Sequence, residues 1–214
     1  FLWIPFADAD EALVVHLGMS GQVLLRDADA ERQKLTRIVI DLDQPAHGPV
    51  RLDFVDQRIF GSMAIDALVA TPDQPGERVP TAVAHIARDP LDPHFDDRAF
   101  FARLASRRTT IKRALLDQSI VSGIGNIYAD EALWASRIHY DQPTATLSHV
   151  KARSLLAEVR AVLVKALGEG GTSFDSLNAY GRHGKPCPRC GTPIVREVFM
   201  NRGSHFCPRC QRIR

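Results

Sequence analysis

The four cysteines of this 214-residue chain stand in two Cys-x-x-Cys pairs, Cys187 with Cys190 and Cys207 with Cys210. Each pair can direct two thiolates at one point, and two pairs supply the closed tetrahedral set that a structural Zn²⁺ prefers. Because four cysteine ligands leave no open coordination position, we expect one structural zinc without a catalytic role. Gly191, which follows the first pair, suits the positive φ often needed where a chain leaves such a turn.

Two other chemistries are open to these cysteines. A pair of disulfides is typical of small secreted proteins, whereas this chain is long and has no cysteine outside the two pairs. A redox Cys-x-x-Cys is less favoured, since two copies in one short segment do not fit a thioredoxin-like site. Structural zinc is therefore the leading interpretation, and disulfides are the alternative.

Basic charge is concentrated around the cysteines, although the formal net charge of the whole chain is only +2. Residues 181–214 carry 8 Lys+Arg against 1 Asp+Glu, whereas residues 1–100 carry 9 against 17. Such a cluster of one sign predicts a polyanion-binding surface, because each Lys or Arg that meets a phosphate releases condensed counterions. A solvated basic tail is the alternative that charge alone leaves open.

The elements that must position these residues begin with a β-rich first part. Alternating or β-branched runs bounded by Gly, Pro and Asp predict antiparallel strands near residues 13–17, 23–25, 37–42 and 50–55. They predict a sandwich or barrel over residues 1–70. Residues 71–97, rich in Pro and Asp, are typical of a linker with little core of its own.

From residue 97 onward the apolar period is helical, and two apolar stripes are joined by a basic run. That run contains Arg103, Arg107, Arg108, Lys112 and Arg113. Gly123 and Gly125 then bracket a tight turn before another helix. The N–H groups of such a turn, with the positive N-terminal end of the next helix, can hold a phosphate.

A long helix completes the second part. Its predicted N-cap is Ser148, and the glycines at 168, 170 and 171 are expected to end it. No apolar run approaches the roughly 20 residues that span a bilayer. The opening residues lack the basic flank and cleavage site of a signal peptide, so we expect a cytoplasmic protein without a membrane partner.

The segment 115–134, LLDQSIVSGIGNIYADEALW, resembles the helix-two-turn-helix signature of the formamidopyrimidine-DNA glycosylases, relatives of endonuclease VIII. Further similar segments are HLGMSG at 16–21, DQRIFG at 56–61, GGTS at 170–173, YGR at 180–182 and NRG at 201–203. The resemblance therefore extends along nearly the whole chain.

The resemblance implies an α+β multidomain fold. Its parts would be an N-terminal antiparallel β-sandwich catalytic domain at 1–70, a linker at 71–97, a helix-two-turn-helix DNA-binding domain at 98–178 and a C-terminal zinc-finger β-hairpin at 179–214. The implied activity is base-excision DNA repair by a bifunctional DNA glycosylase and abasic-site lyase. It would flip 8-oxoguanine or formamidopyrimidines out of the duplex and cleave by Schiff-base β,δ-elimination. The implied partner is double-stranded DNA with oxidised bases or abasic sites, bound by a monomer associated with the nucleoid.

The same resemblance assigns residues to DNA contacts. Met19, Arg58 and Phe60 would fill the gap left by the flipped nucleotide, with core packing as the alternative for the two apolar side chains. The predicted phosphate and DNA contacts are Arg107, Arg108, Lys112, Asn126, Tyr180 and Arg202. Arg202 matches a hairpin arginine that the family assigns to δ-elimination. Because arginine keeps its charge, we favour phosphate binding over proton donation.

The two larger departures from the family pattern concern the start of the sequence and one loop, and smaller ones fall at Leu35, Ile59 and Tyr140. The family's nucleophile, an N-terminal proline, and the glutamate after it do not occur in the printed sequence, which opens at Phe1, so no residue here takes those roles. The loop that closes over the flipped base is also shorter, between Leu177 and Asn178.

Three other functions are open at this point. One is a damaged-DNA binding protein without catalysis, and another is an endonuclease VIII-like glycosylase for oxidised pyrimidines. A zinc-ribbon module for RNA binding or transcription is the third, but it leaves residues 115–134 unexplained.

Overall fold

Two antiparallel sheets form the first of two units in the structure, Phe1–His85. The structure is a computed structural model and describes residues 1–44, 48–169 and 177–213. The strands are Leu2–Pro5 (β1), Glu11–His16 (β2), Gln22–Asp27 (β3), Thr36–Gln44 (β4), Gly48–Val55 (β5), Ser62–Ala70 (β6) and Arg78–Pro80 (β7). One sheet has the order β1-β2-β6-β7 and the other the order β3-β5-β4.

The predicted strands are confirmed as β2, β3, β4 and β5. In β2 the side chains of Ala12, Val14 and Val15 are buried, which agrees with a strand that packs against the core. Part of the segment 71–97 also belongs to a sheet, because β7 pairs with β6 and is followed by the 3₁₀ turn Thr81–Val83. The proline and aspartate content of this segment concealed a short strand whose pairing comes from β6.

The second unit, Ile86–Arg214, contains the helices and a two-stranded hairpin. Its helices are Asp97–Ser106 (α1), Ile111–Leu116 (α2), Asn126–Ser136 (α3) and His149–Gly168 (α4), with a 3₁₀ turn at Thr144–Thr146; its strands are Val195–Phe199 (β8) and Arg202–Phe206 (β9). The hydroxyl of Ser148 accepts the N–H of Lys151, which confirms the predicted N-cap of α4. Helix α4 ends at Gly168, whereas Gly170, Gly171 and the segment 170–173 lie outside the described residues.

One apolar core joins the helices of the second unit to its hairpin. Helices α2, α3 and α4 contribute Ile111, Leu115, Leu133, Leu155 and Val159, and the hairpin contributes Phe199 and Phe206. The hairpin is therefore packed on the helix-turn-helix and does not stand alone. Among the described residues, no helix is both long enough and apolar enough to cross a membrane.

Candidate nucleic-acid interface

The four cysteine sulfurs meet in the second unit, and all four thiols are free. Their Sγ atoms lie within 4.8 Å of one another, and Cys190 Sγ is 3.5 Å from Cys207 Sγ and 3.4 Å from Cys210 Sγ. A tetrahedral zinc with Zn–S bonds of about 2.3 Å needs sulfurs about 3.8 Å apart. The cluster fits that ion, and free thiols remove the disulfide alternative. Gly191 has the predicted positive φ, 74°.

Trp134 and Arg189 fix the cysteine turns to α3. The indole Nε1 of Trp134 donates to Cys187 Sγ at 3.4 Å. The guanidinium of Arg189 lies over the Trp134 ring, 4.1 Å from its centroid, and donates to the carbonyls of Trp134 and Ala135. Such outer contacts orient the side chains that hold a metal. The zinc unit is thereby fixed relative to the second helix of the helix-turn-helix.

Arg202 is exposed at the first position of β9, opposite Phe199 in the hairpin. The residue after it, Gly203, is buried, and its carbonyl accepts hydrogen bonds from Asn126 Nδ2 at 3.1 Å and from Lys112 Nζ at 3.2 Å. Asn126 is the first residue of α3, where backbone N–H groups have no partner within the helix. The structure therefore places a cation beside the positive end of α3, which is an arrangement that attracts a phosphate.

Lys112 has a different place from the one predicted. Its side chain is 0% exposed, and Nζ lies 2.6 Å from Asp130 Oδ1 and 2.7 Å from Ser204 Oγ. The second carboxylate oxygen of Asp130 accepts the N–H of His205 at 2.9 Å. A buried ammonium with these partners does not reach a DNA phosphate, so the prediction of a phosphate contact for Lys112 is wrong. Burial lowers the pKa of Lys112 and raises the pKa of Asp130, because desolvation disfavours both charged forms.

The other predicted DNA contacts of the second unit lie at its surface. Arg107 and Arg108 are exposed in the connection between α1 and α2. The ring of Tyr180 is half-buried and packs edge-on against the ring of His205, with centroids 4.8 Å apart. The structure thus gathers Asn126, Tyr180 and Arg202 around the hairpin. Their roles in DNA binding stay predictions.

Glu131, which no sequence motif singled out, holds the segment that carries Tyr180. Its Oε1 accepts the N–H groups of Ala179 at 2.7 Å and Tyr180 at 2.9 Å, and its Oε2 accepts from the backbone and side-chain amides of Asn178. The signal was two adjacent acids, Asp130 and Glu131, in an otherwise apolar stretch of α3. Both are buried and both bind residues far away in the chain.

In the first unit, Met19 and Phe60 are 70% and 58% exposed, which excludes the core-packing alternative for both side chains. The guanidinium of Arg58 lies 5.4 Å from the centroid of the Phe60 ring. The two side chains are therefore on the same side of their loop, although Ile59 between them has a φ of 58° and the segment is not extended. Both apolar side chains are free to contact a ligand, and a cation stacked on the ring suits contact with nucleobases.

Comparison with known proteins finds matches to three family descriptions. They are "Formamidopyrimidine-DNA glycosylase N-terminal domain" over residues 1–63, "Formamidopyrimidine-DNA glycosylase H2TH domain" over residues 86–177 and "Zinc finger found in FPG and IleRS" over residues 184–213. The chain is 58% identical over 236 residues to a formamidopyrimidine-DNA glycosylase of Leifsonia xyli subsp. xyli, covering 100% of this chain and 80% of that protein. It is 53% identical over 230 residues to that of Thermobifida fusca, covering 99% and 77%.

Two solved structures with a similar fold are complexes with DNA. A complex of Lactococcus lactis FPG (MutM) with DNA containing FAPY-dG matches with a TM-score of 0.76 and 30% identity, over 96% of this chain and 76% of that chain. A complex of MutM with DNA containing carbocyclic 8-oxo-G matches with a TM-score of 0.73 and 31% identity, over 95% and 75%.

Proposed function

The chain belongs to the formamidopyrimidine-DNA glycosylase family, and we propose that it is a bifunctional base-excision repair enzyme that removes oxidised purines and cleaves the resulting abasic site. One observation carries the proposal for this chain. An exposed arginine, Arg202, stands on a zinc-finger hairpin that is fixed by buried polar contacts to the first turn of α3. This is a phosphate site built into a helix-turn-helix, and relatives of the same architecture have been solved with damaged DNA.

The second unit binds the DNA backbone in this proposal. Arg202 and Asn126 hold the phosphate at the lesion, Tyr180 lines the same place, and Arg107 and Arg108 contact further phosphates. Each contact neutralises backbone charge and so makes affinity depend on salt. Arg202 acts through its charge, because a guanidinium does not give up a proton near neutral pH.

The first unit fills the duplex where the damaged nucleotide has left it. Flipping a nucleotide costs a few kcal/mol in lost stacking and pairing, about what apolar wedges can offset by occupying the gap. Met19 and Phe60 supply apolar surface, and Arg58 supplies a cation able to face the orphaned base. Their exposure in the structure leaves them available for that contact.

The zinc supports this chemistry from a distance. Cys187, Cys190, Cys207 and Cys210 would hold one Zn²⁺, and a four-sulfur site contributes folding free energy and no reaction step. The lyase step is tested on the full-length protein. Because the substrate is DNA, we propose action in the cytoplasm at the nucleoid.

Borohydride trapping tests the enzyme proposal. The full-length protein is incubated with a duplex containing 8-oxoguanine and reduced with borohydride, and we expect a covalent adduct that an undamaged duplex does not give. Tight binding to the damaged duplex without an adduct would instead indicate a damaged-DNA binding protein. A faster reaction with a thymine glycol duplex than with 8-oxoguanine would indicate an oxidised-pyrimidine enzyme.

Arg202→Ala tests the phosphate site. We expect the variant to process lesions more slowly by about 10-fold or more, because a buried or well-aligned charged contact contributes on the order of 1.5–3 kcal/mol. The zinc content should be unchanged. Arg209→Ala is the matched control, since Arg209 is also an exposed arginine of the zinc unit. Loss of zinc in Arg202→Ala, or equal effects of the two substitutions, would contradict a specific role for Arg202.

A further inference from the structure

Asp56 joins the two loops that carry the three gap-filling side chains. We propose that the buried carboxylate of Asp56 is the positioning residue for this surface: it couples the loop of Met19, residues 17–21, to the loop of Arg58 and Phe60, residues 56–61. The inference rests on the proposed function, because it assigns the two loops to gap filling. It adds a residue that touches no DNA and acts through those that do.

The carboxylate is 0% exposed and accepts hydrogen bonds at both oxygens. Oδ1 accepts the hydroxyl of Ser20 at 2.7 Å and the N–H of Arg58 at 3.2 Å. Oδ2 accepts the N–H groups of Phe60 and Gly61, both at 2.9 Å. Ser20 follows Met19 directly, so one carboxylate is bonded to both loops. The Asp56 carboxylate thus accepts from one hydroxyl and three amide N–H groups, all of them neutral donors.

The bonds to Asp56 hold the second loop in an unfavourable backbone conformation. Ile59 has a φ of 58°, in the left-handed region that a β-branched residue rarely adopts. With Ile59 in this conformation the chain folds back around the carboxylate, and Arg58 stacks on the ring of Phe60. Strain of this kind persists only where the surrounding structure over-determines it, and such positions cluster at functional sites.

The loops also touch backbone to backbone, which leaves no room for a side chain between them. A Cβ at Gly18, whose φ is +60°, would lie 2.8 Å from the carbonyl carbon of Phe60. A Cβ at Gly61 would lie 2.4 Å from Cζ of Phe54 and 3.2 Å from Oδ2 of Asp56. The glycines permit the close approach, and the carboxylate supplies the hydrogen bonds that keep it.

The ionised form of Asp56 is the one that these donors require. The Ser20 hydroxyl, followed by the Gly61 N–H, lowers the pKa of Asp56 to about 2. The carboxylate is therefore an acceptor at both oxygens throughout the neutral range. An amide at this position has one acceptor oxygen and places an NH₂ group against a loop N–H.

A gap-filling side chain can enter the base stack only if it points away from the protein surface. Loops fixed to each other before DNA binds avoid the cost of ordering them at the moment of insertion. Small misplacements of a positioned group are expensive in rate, about 100-fold for 1 Å in well-organised sites. Asp56 thus speeds the reaction on duplex DNA without contacting the DNA, because it positions Met19, Arg58 and Phe60.

The test uses the full-length protein with Asp56→Asn and Ser20→Ala. The second substitution removes the hydroxyl that donates to Asp56 at 2.7 Å and also accepts the N–H of Arg58 at 3.3 Å, so it cuts the side-chain bonds between the two loops and keeps the carboxylate. Asp66→Asn is the matched control, because the Asp66 carboxylate also accepts backbone N–H groups in the first unit but lies in β6, away from both loops. Two substrates are compared by borohydride trapping: a duplex with 8-oxoguanine, and a single-stranded oligonucleotide with an abasic site, which has no stack to fill.

We expect Asp56→Asn and Ser20→Ala to slow trapping on the duplex by about 10-fold to 100-fold. Trapping on the single-stranded abasic site should stay within about twofold, as should both reactions of Asp66→Asn. Fluorescence of a 2-aminopurine placed beside the lesion should rise more slowly in both loop variants, because it reports unstacking. Duplex rates equal to those of Asp66→Asn would overturn the inference.

Two further outcomes remain decisive. If Asp56→Asn loses both reactions because it fails to fold, Ser20→Ala decides the question by the same comparison. If the unmodified protein traps neither substrate, the proposed function fails, and the inference fails with it.

Discussion

The buried pair of Lys112 and Asp130 should be the most sensitive point of the second unit. The two side chains are 0% and 1% exposed, and their charged atoms are 2.6 Å apart. Asp130→Asn removes one charge with almost no change in volume and leaves the ammonium of Lys112 buried beside Ser204 and the Gly203 carbonyl. Breaking such a pair costs about 3–5 kcal/mol, because the remaining charge is desolvated without compensation.

The magnitude also has an upper limit from the lysine itself. Lys112 can lose its proton, and doing so at pH 7 from an ordinary pKa of about 10.4 costs about 4.6 kcal/mol. For a unit of this size, about 1 kcal/mol lowers the melting temperature by roughly 4 °C, so a fall of about 12–18 °C is expected. Because the hairpin is bonded to the pair through Ser204 and Gly203, binding of lesion DNA should weaken as well.

Differential scanning calorimetry and urea unfolding of the zinc-loaded protein measure the effect, with the zinc content of each variant determined separately. The control is the double variant Lys112→Met with Asp130→Asn, which removes the stranded charge and should regain part of the lost stability. A loss below about 1 kcal/mol for Asp130→Asn would contradict a desolvated pair, because that is the range of exposed ion pairs. So would a double variant that is no more stable than Asp130→Asn alone.

Three further predictions concern other parts of the chain. Removal of zinc by a chelator should unfold the hairpin and change the fluorescence of Trp134, because the indole N–H of Trp134 contacts Cys187 Sγ at 3.4 Å. Unchanged emission and unchanged DNA binding would argue against a structural ion. Glu131→Gln should destabilise the second unit by about 1–3 kcal/mol in urea unfolding and free the segment of Tyr180, since one amide oxygen cannot serve the four donors that now bond to the carboxylate. The pKa of Asp56 is about 2, which is below its value in the unfolded chain. Its contribution to stability is therefore complete above about pH 4 and is lost as the pH falls toward about 2. Acid unfolding of Asp56→Asn should show a weaker pH dependence in that range.

The contrast between Arg107 and Lys112 shows where sequence reasoning stops. Both belong to one basic run without an intervening acid, and the sequence offers no reason to treat them differently. In the structure Arg107 is exposed, whereas Lys112 lies on the face of α2 that the hairpin covers. The residue that covers it, Ser204, is 92 positions away in the chain. A sequence pattern identifies the buried face of a helix only when apolar residues lie on that face. In α2 the buried face also contains Lys112, whose partner Asp130 is buried as well.

The burial of three acidic residues was also hidden in the sequence. Asp56, Asp130 and Glu131 were within segments that resemble the family, yet the sequence does not indicate that each is buried or which donors it binds. Their donors come from another loop, from β9 and from residues 178–180. Only the packed structure shows that these carboxylates hold the hairpin and the loops in place.

The features that depend on local geometry can be read from the amino-acid sequence. Two Cys-x-x-Cys turns predict a four-sulfur site wherever they meet, Gly191 predicts a positive φ, and Ser148 predicts a helix start, because each follows from the residue and its immediate neighbours. The strands of the first unit followed from local residue patterns, whereas the family followed from the resemblance of whole motifs such as residues 115–134. Which charges face solvent and which are buried in pairs depends on the packing of the whole fold. That outcome depends on contacts between residues far apart in the chain, where the free energy of desolvation selects the partner.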